Sequence, residues 1–463
     1  MNYIFGYKSW SYLLLVASLF CIFIATISPF EFITPEGFSI NYIVEKFNFG
    51  SSLKDYWQNI LLFIPLGISL FIITANKHRN IWLILIICCL VSAVISTAVE
   101  FTQLFLPTRV SNLTDIIFNT CGGCVGGILY LWRKNIIQFL AGILTGNRHK
   151  LSLKSLLTAI AIYCFIVILG IGILLNSINL SNWDDDYYLA IGNEVTGDRP
   201  WHGYINSLYI CDRALNQSEV IQAFEDNNFL PQLSGLIASF VFTDLQKSYQ
   251  DKSQNIPDLK LSKSLQAKTK ENENKEIKDN RVYQYLGILL NKNQWLKTRD
   301  RAVFLNKKLK QTNEFSFFLT IASRDFQQNG PARIISIADG IVAQNIIIGQ
   351  SEKNLSLRLR TPTTGSSANQ PEFLVPNVFD NYGFHQILVT FAQKKLSVYI
   401  DYPKNLYSFK FDVYNSSLSY LPWGKLGWIV NLAEFNDLKY KLGFCIVVFS
   451  PLAILIYYLI SKI

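Results

Sequence analysis

The chain has 463 residues, half of them hydrophobic and only 16% charged. Soluble proteins carry about 25% charged residues, so a wholly cytosolic protein is excluded. Residues 177–440 hold 29 Lys and Arg against 27 Asp and Glu, whereas the rest of the chain holds 13 basic and 6 acidic side chains. The net charge of +9 therefore belongs mostly to a sparsely charged part, not to a nucleic-acid-binding surface.

Apolar runs of about 20 residues cross a bilayer's hydrocarbon core as helices. In chain order, the sequence predicts spans at 10–30, 57–75, 81–104, 113–132 and 153–175, and a last one at 441–460. The first is longer than a signal-peptide core and no small-x-small site follows 21–26, which predicts an uncleaved anchor. The fourth contains Gly122, Gly123, Gly126 and Gly127, at spacings that suit close approach of helices in lipid. The stretch 136–144 is too short to cross and is expected at the interface.

One set of connectors holds Lys8, Lys77, Arg79, Arg133, Lys134, Arg148, Lys150, Lys154 and Lys462 and no acid. The opposite short loops, 31–56 and 105–112, hold Glu31, Glu36, Glu45 and Asp55 against Lys46, Lys54 and Arg109. The positive-inside rule then places both termini in the cytoplasm and the long 176–438 segment outside. Seven of the eight cysteines lie in the spans, and Cys211 is alone in the outer segment, so no disulfide is expected there. Cys121-x-x-Cys124 has the spacing of a redox or metal pair, but among glycines in lipid it reads as small residues at a helix contact.

From 184 to 435 the pattern changes to short alternating runs: 204–210, 236–242, 315–321, 332–337, 341–348, 355–359, 386–391 and 396–400. Each is rich in Ile, Val, Phe and Tyr and bounded by Gly, Asn, Asp or Pro, which predicts strands of an antiparallel sandwich. One helix is expected at 218–227, capped by Ser218. The polar run 263–281 reads as a solvated loop or frayed helix. The fold class is thus two-part: an α-helical transmembrane bundle of about six spans (1–175, with a C-terminal anchor at 439–463) and an all-β sandwich facing outside.

Charged groups within spans are costly and usually face a protein interior or cavity. Glu100 and Gln103 share a face near the outer end of the third span, Asp115 and Asn119 of the fourth, and Asp55 and Asn59 of the second. Arg109 sits in the turn between the third and fourth. All are expected within about two turns, roughly 11 Å, of the outer surface. One reading is a headgroup site, with Arg109 holding a phosphate or carboxylate, Glu100 and Asp115 as acid and base candidates, and the amides orienting the ligand. The other has Arg109 paired with Glu100 and Asp115 while the amides tie helices together. No Ser or Cys nucleophile has a plausible His partner: His78 and His149 are on the inner side, His202 and His385 in the sandwich. No confident catalytic set emerges, and the balance leans away from an enzyme.

Asp55, Asn59 and the turn Phe63-Ile-Pro65-Leu-Gly67, then Glu100-Phe-Thr-Gln103, Arg109, Asp115, Asn119, Gly122 and Gly126, resemble the VanZ-like membrane family. Where that family usually has an acid three residues after the Arg, this chain has Asn112. The resemblance implies an envelope protein associated with resistance to glycopeptide antibiotics such as teicoplanin, without implying a reaction. The outer segment, through Ile191-Gly-Asn193, Trp201-x-Gly203-x-Ile205, 212–220 and 236–242, resembles the concanavalin A-like lectin/glucanase jelly roll in its laminin-G-like form. The motif that ends such a domain precedes the one that opens it, which suggests one permuted sandwich. That likeness implies carbohydrate binding. Trp183, Trp201 and Trp295, with Trp423 and Trp428, are glycan-contact candidates, although core roles suit tryptophan better. Asp184, Asp185 and Asp186 could take calcium, with a solvated turn as the plainer reading; no other cofactor and no metal site is expected. The paired acids of the fold's glucanases are missing. The partners expected are the lipid bilayer and an envelope glycan or lipid-linked headgroup. The alternatives are a membrane enzyme acting on a lipid-linked glycan or phosphate, and a structural adaptor whose sandwich binds protein.

Overall fold

The computed structural model describes residues 3–462 apart from 29, 31, 35–37, 41–42, 44–46, 48–52, 107–108, 110, 146–150, 227, 264–286, 329, 370 and 419–428. The polar run 263–281 lies almost wholly outside the described residues, as do Glu31, Glu36, Glu45, Lys46, Arg148, His149, Lys150, Trp423 and Trp428. The chain divides into two compact units, Met1–Ile171 with Cys445–Ile463, and Gly172–Phe444.

The first unit is helical. Its long elements are α1 (Tyr3–Ile27), α2 (Leu53–Ala75), α3 (Ile81–Gln103), α4 (Leu113–Leu144) and α5 (Leu153–Asn176). With the final helix, Asp437–Ile460, six helices among the described residues are long and apolar enough to cross a membrane. The Asn80 side chain opens α3 by accepting from the Trp82 and Leu83 amides. The stretch 136–144 is no separate interfacial segment: α4 runs unbroken for 32 residues, about 48 Å, because nothing between Trp132 and Ile136 breaks a helix.

Glycine sets how α4 sits. A β-carbon at Gly122 would overlap the Ile60 carbonyl oxygen, and one at Gly126 the Ile64 carbonyl oxygen, so this pair lets α4 lie backbone to backbone on α2. One position on, Gly123 meets the Ser92 hydroxyl and Gly127 the Leu85 side chain, both on α3. Two small-x-x-x-small stripes thus wedge one helix between two others. Phe63, Leu66, Phe71, Ile84, Cys88 and Val99 fill the space around them. Pro451 in the final helix cannot donate, and Tyr163 Oη of α5 donates to the nearby Val448 carbonyl at 2.6 Å.

The second unit is a β-sandwich. Its elements are β1 (Tyr188–Ile191), β2 (Gly203–Cys211), α6 (Gln217–Glu225), β3 (Leu236–Val241), β4 (Ser248–Tyr249), β5 (Leu259–Lys263), β6 (Ile288–Leu290), β7 (Gln294–Thr298) and α7 (Val303–Thr312). There follow β8 (Phe315–Ser323), β9 (Ala332–Ala338), β10 (Gln344–Ser351), β11 (Asn354–Leu359), β12 (Glu372–Val375), β13 (His385–Ala392), β14 (Lys395–Ile400), β15 (Leu406–Lys410), α8 (Val413–Leu418) and β16 (Ile429–Asn431). One sheet runs β16-β12-β11-β10-β9-β1-β7-β5-β4; the other runs β15-β14-β13-β8-β2-β3, with β6 also on β2. The pairings are antiparallel except β12 with β16. The segment that opens the unit supplies an interior strand to each sheet, β1 to one and β2 to the other. One core, from Ile178 to Leu432, lies between the sheets, with Ile335, Ile337, Ile346 and Ile348 from one and Ile205, Phe317, Leu319 and Val389 from the other. Helix α6 is capped by Asn216, not Ser218: the Asn216 side chain accepts from the Glu219 amide, and Glu219 accepts from the Asn216 amide in return.

Buried titratable groups couple this core to pH. Burial pushes the Cys211 thiol up from 9 to about 12, and the Tyr187 hydroxyl up from 10 to about 12. Both keep their protons in the folded sandwich after the unfolded chain has lost them. The stability each contributes is therefore whole below its unfolded value and is lost as pH climbs toward 12, at about 1.4 kcal/mol per pH unit and group. Burial lowers Arg333 to about 10, so above pH 10 that residue works the other way. Within the sandwich, Cys211 is the one cysteine in residues 177–440, so between pH 9 and 10 it leads this loss there. The denaturant midpoint of the wild type is expected to fall across it, and Cys211→Ala to flatten that fall; equal slopes would contradict the assignment.

Candidate functional site: the polar end of the helix bundle

The ends of four helices meet. Glu100, near the last turn of α3, is 2% exposed. Its Oε2 accepts the Asn112 backbone N–H at 2.7 Å, and its carbonyl accepts from Ser111 Oγ at 2.8 Å. Asn112 is the N-cap of α4, its Oδ1 accepting from the Thr114 amide and hydroxyl. An amide here caps as an acid would, without setting a second buried carboxylate against Glu100. That gives the departure from the family pattern a physical reason.

Gln103 and Arg109 turn to α1. Gln103 Nε2 donates to the Thr26 carbonyl at 3.0 Å, and Arg109 Nη2 donates to the Ala25 and Ser28 carbonyls at 3.2 and 3.0 Å. These oxygens close a helix C-terminus, where carbonyls lack intrahelical donors and a cation is favoured. Arg109 is exposed and makes no ion pair with Glu100. The expected Arg109–Glu100 pairing is thus replaced by a clasp on α1.

Asp55 and Asp115 are half-buried, and both lie within electrostatic reach of the Tyr56 hydroxyl; Asp115 also acts on Glu100. The Tyr56 ring stacks on Phe118 at 4.1 Å, joining the starts of α2 and α4. Deeper in, Asn119 is 2% exposed and its Nδ2 donates to Ser96 Oγ at 2.9 Å. Asn119 Oδ1, Asn59 Nδ2 and Ser92 Oγ are enclosed without a hydrogen-bond partner among the described residues. The predicted residues therefore come together at one end but in separate roles. The sequence pattern does not mark Ser92, Ser96 or Ser111, although Cys88, Ser92, Ser96 and Glu100 recur every four residues on one buried face of α3.

These bonds predict a contrast at one position. Glu100→Gln keeps an acceptor for the Asn112 N–H and is expected to shift stability by less than about 1 kcal/mol. Glu100→Ala leaves that N–H buried and unpaired, at about 1–3 kcal/mol. Thermal unfolding in detergent measures both, and equal losses would contradict the bond.

The sandwich candidates divide differently. Trp183 and Trp201 are 1% and 0% exposed, and their Nε1 groups donate to the Arg360 carbonyl and Gln350 Oε1, both at 2.8 Å. Trp295, 9% exposed, lies beneath Gly197. None of the three opens an indole face to a sugar, because each fills volume in or over a sheet. Asp184 accepts from the Asp186 amide, Asp185 pairs with Lys310 at 3.2 Å, and no group of three or more metal-ligating side chains occurs among the described residues.

Residues 9–138, from within α1 into α4, match the VanZ/LLP1 family model. No curated protein and no solved structure matches the chain. With six membrane-length helices, that match makes this a membrane protein with a VanZ-like region, joined to a β-sandwich.

Proposed function

We propose that the chain is an envelope protein of a bacterial-type plasma membrane, with both termini cytoplasmic and residues 176–438 outside. In this reading the polar helix ends bind the anionic headgroup of an envelope lipid or lipid-linked glycan. The observation that carries it is Arg109: an exposed guanidinium at the polar end of the bundle, with Nη2 bonded to the last carbonyls of α1 and no ion pair to Glu100. A fork anchored on one nitrogen is pre-organised for a phosphate or carboxylate. Deeper in the bundle, Asn59 Nδ2 and Asn119 Oδ1 have no hydrogen-bond partner among the described residues, leaving one donor and one acceptor open. The enzyme alternative needs the Glu100 carboxylate to reach a substrate, and that group is enclosed and already bonded to Asn112.

The test is binding of a polyprenyl-pyrophosphate-linked sugar to the full chain in nanodiscs of zwitterionic lipid. Arg109→Gln is expected to weaken binding tenfold or more, about 1.4 kcal/mol, and Arg109→Lys by less. A folded Arg109→Gln chain that binds as the wild type does would refute the site. The VanZ-like resemblance adds a cellular readout: expression should raise tolerance to teicoplanin, and Arg109→Gln should lose that gain.

A further inference from the structure

Arg360, just past the end of β11, is 5% exposed, yet it pairs with no carboxylate among the described residues. Two other arginines of the same sheet do: Arg333 on β9 meets Glu194, and Arg358 on β11 meets Glu372 at 2.6 Å. A guanidinium taken out of water without a counter-charge is costly. The bonds of the Arg360 fork are also one-sided. Nη1 donates to the Tyr187 hydroxyl at 2.9 Å, whereas Nε is enclosed without a partner, and the fork makes no other hydrogen bond among the described residues.

The frame around the fork is fixed. The Arg360 carbonyl accepts from Trp183 Nε1, and its N–H donates to the Asn345 carbonyl at 2.8 Å. The Asn345 side chain accepts from the Asp184 amide at 2.9 Å and donates to the Asp184 carbonyl at 2.8 Å. Asn306 Nδ2 donates to the Tyr187 carbonyl at 2.9 Å, and both asparagines are fully buried. Guanidinium and hydroxyl are therefore held in place by groups that are themselves satisfied. Asn182, one residue before Trp183, adds a side chain whose Oδ1 and Nδ2 are both enclosed and unpartnered among the described residues.

We propose that Arg360 and Tyr187 form a binding site for a singly charged oxyanion, the group that carboxylates and phosphodiesters share. Tyr187 takes one side of the fork, and the Nε edge left over is the one that binds two oxygens of such a group side-on. The Tyr187 hydroxyl accepts from Arg360 and keeps its own proton to donate to the ligand. Charge sets the class. A neutral ligand leaves the guanidinium uncompensated. Asp184 and Asp339 act electrostatically on the Tyr187 hydroxyl without pairing with Arg360, so a second negative charge on the ligand meets repulsion. Arg109 belongs to the other compact unit, so this site stands or falls separately from the headgroup reading.

The test is protection of Cys211 in the purified full chain, held in detergent at one urea concentration and constant ionic strength. Cys211 is buried, so its labelling by a maleimide, read at that cysteine by peptide mass spectrometry, reports opening of the sandwich. Acetate and dimethyl phosphate are the probes, against chloride. At least one of the two is expected to slow labelling saturably, about threefold at twice its dissociation constant. Arg360→Met, which removes the charge, is expected to lose the whole response. Tyr187→Phe keeps the ring and the guanidinium and should weaken binding about threefold or more; it decides the matter if Arg360→Met does not fold. Slowing by acetate alone supports a carboxylate ligand, by dimethyl phosphate alone a phosphodiester, and by both the shared group. Labelling in both probes equal to that in chloride overturns the proposal, and so does slowing that persists undiminished in the folded variants.

Discussion

Gly126→Leu is expected to dismantle the helix bundle, while Gly170→Ala leaves it intact. A β-carbon at Gly126 would overlap the Ile64 carbonyl oxygen, which belongs to a helix backbone and cannot rotate away. The only relief is to push α2 and α4 apart, which breaks the Gly122 and Gly67 contacts as well and strands Asn119 and Asn59 in lipid. Overpacking costs about 1–3 kcal/mol in a forgiving core, and this rigid backbone contact sits at or above the upper figure. At Gly170 a β-carbon meets nothing within 4 Å, so alanine there stays within about 1 kcal/mol and gains helix propensity. Thermal unfolding in detergent compares the two. Similar melting temperatures would show that α4 does not lie on α2 through these glycines.

The second large effect is in the sandwich. Glu194 and Arg333 are both nearly unexposed, with Arg333 Nε 3.3 Å from Glu194 Oε2. Glu194 Oε1 also accepts from Ser336 Oγ and the Val195 amide, and Arg333 Nη1 donates to the Pro331 carbonyl. Removing one member of a buried pair leaves the other uncompensated, so Glu194→Ala is expected to lose about 3–5 kcal/mol. Arg333→Met added to it should recover part of that loss, because the stranded charge is gone. The readout is Cys211, buried in the fold: its labelling by a maleimide in rising urea reports sandwich opening. A double variant weaker than Glu194→Ala alone by the full cost of Arg333→Met would mean the two groups are not coupled.

Much of the architecture is legible because lipid and pleat impose simple periods. The six spans and the glycine stripes follow from hydropathy and spacing, and eight alternating runs mark strands that form. What escaped depended on partners distant in the chain. Strands β5 and β7 carry lysines and glutamine along with their apolar residues, and their pairing with each other supplies what their pattern lacks. Helix α7 has no side-chain cap, since α7 opens at Ala302. The polar residues of the bundle were recognisable as a cluster, but Arg109's choice of α1 carbonyls over Glu100 depends on where α1 ends in space. Trp183, Trp201 and Trp295 are enclosed, the core role that the sequence already favoured for tryptophan, because large aromatic area is drawn inward.

The central claim is that the sandwich and the connector after α2 lie on opposite sides of the membrane. Lys307→Cys, at an exposed position of α7, and His78→Cys, in the exposed connector between α2 and α3, put a water-accessible thiol at each place. A membrane-impermeant maleimide applied to intact cells is expected to label Cys at 307 and spare Cys at 78, which reacts after lysis. Labelling of 78 with protection of 307 would contradict the outward sandwich and the headgroup site together.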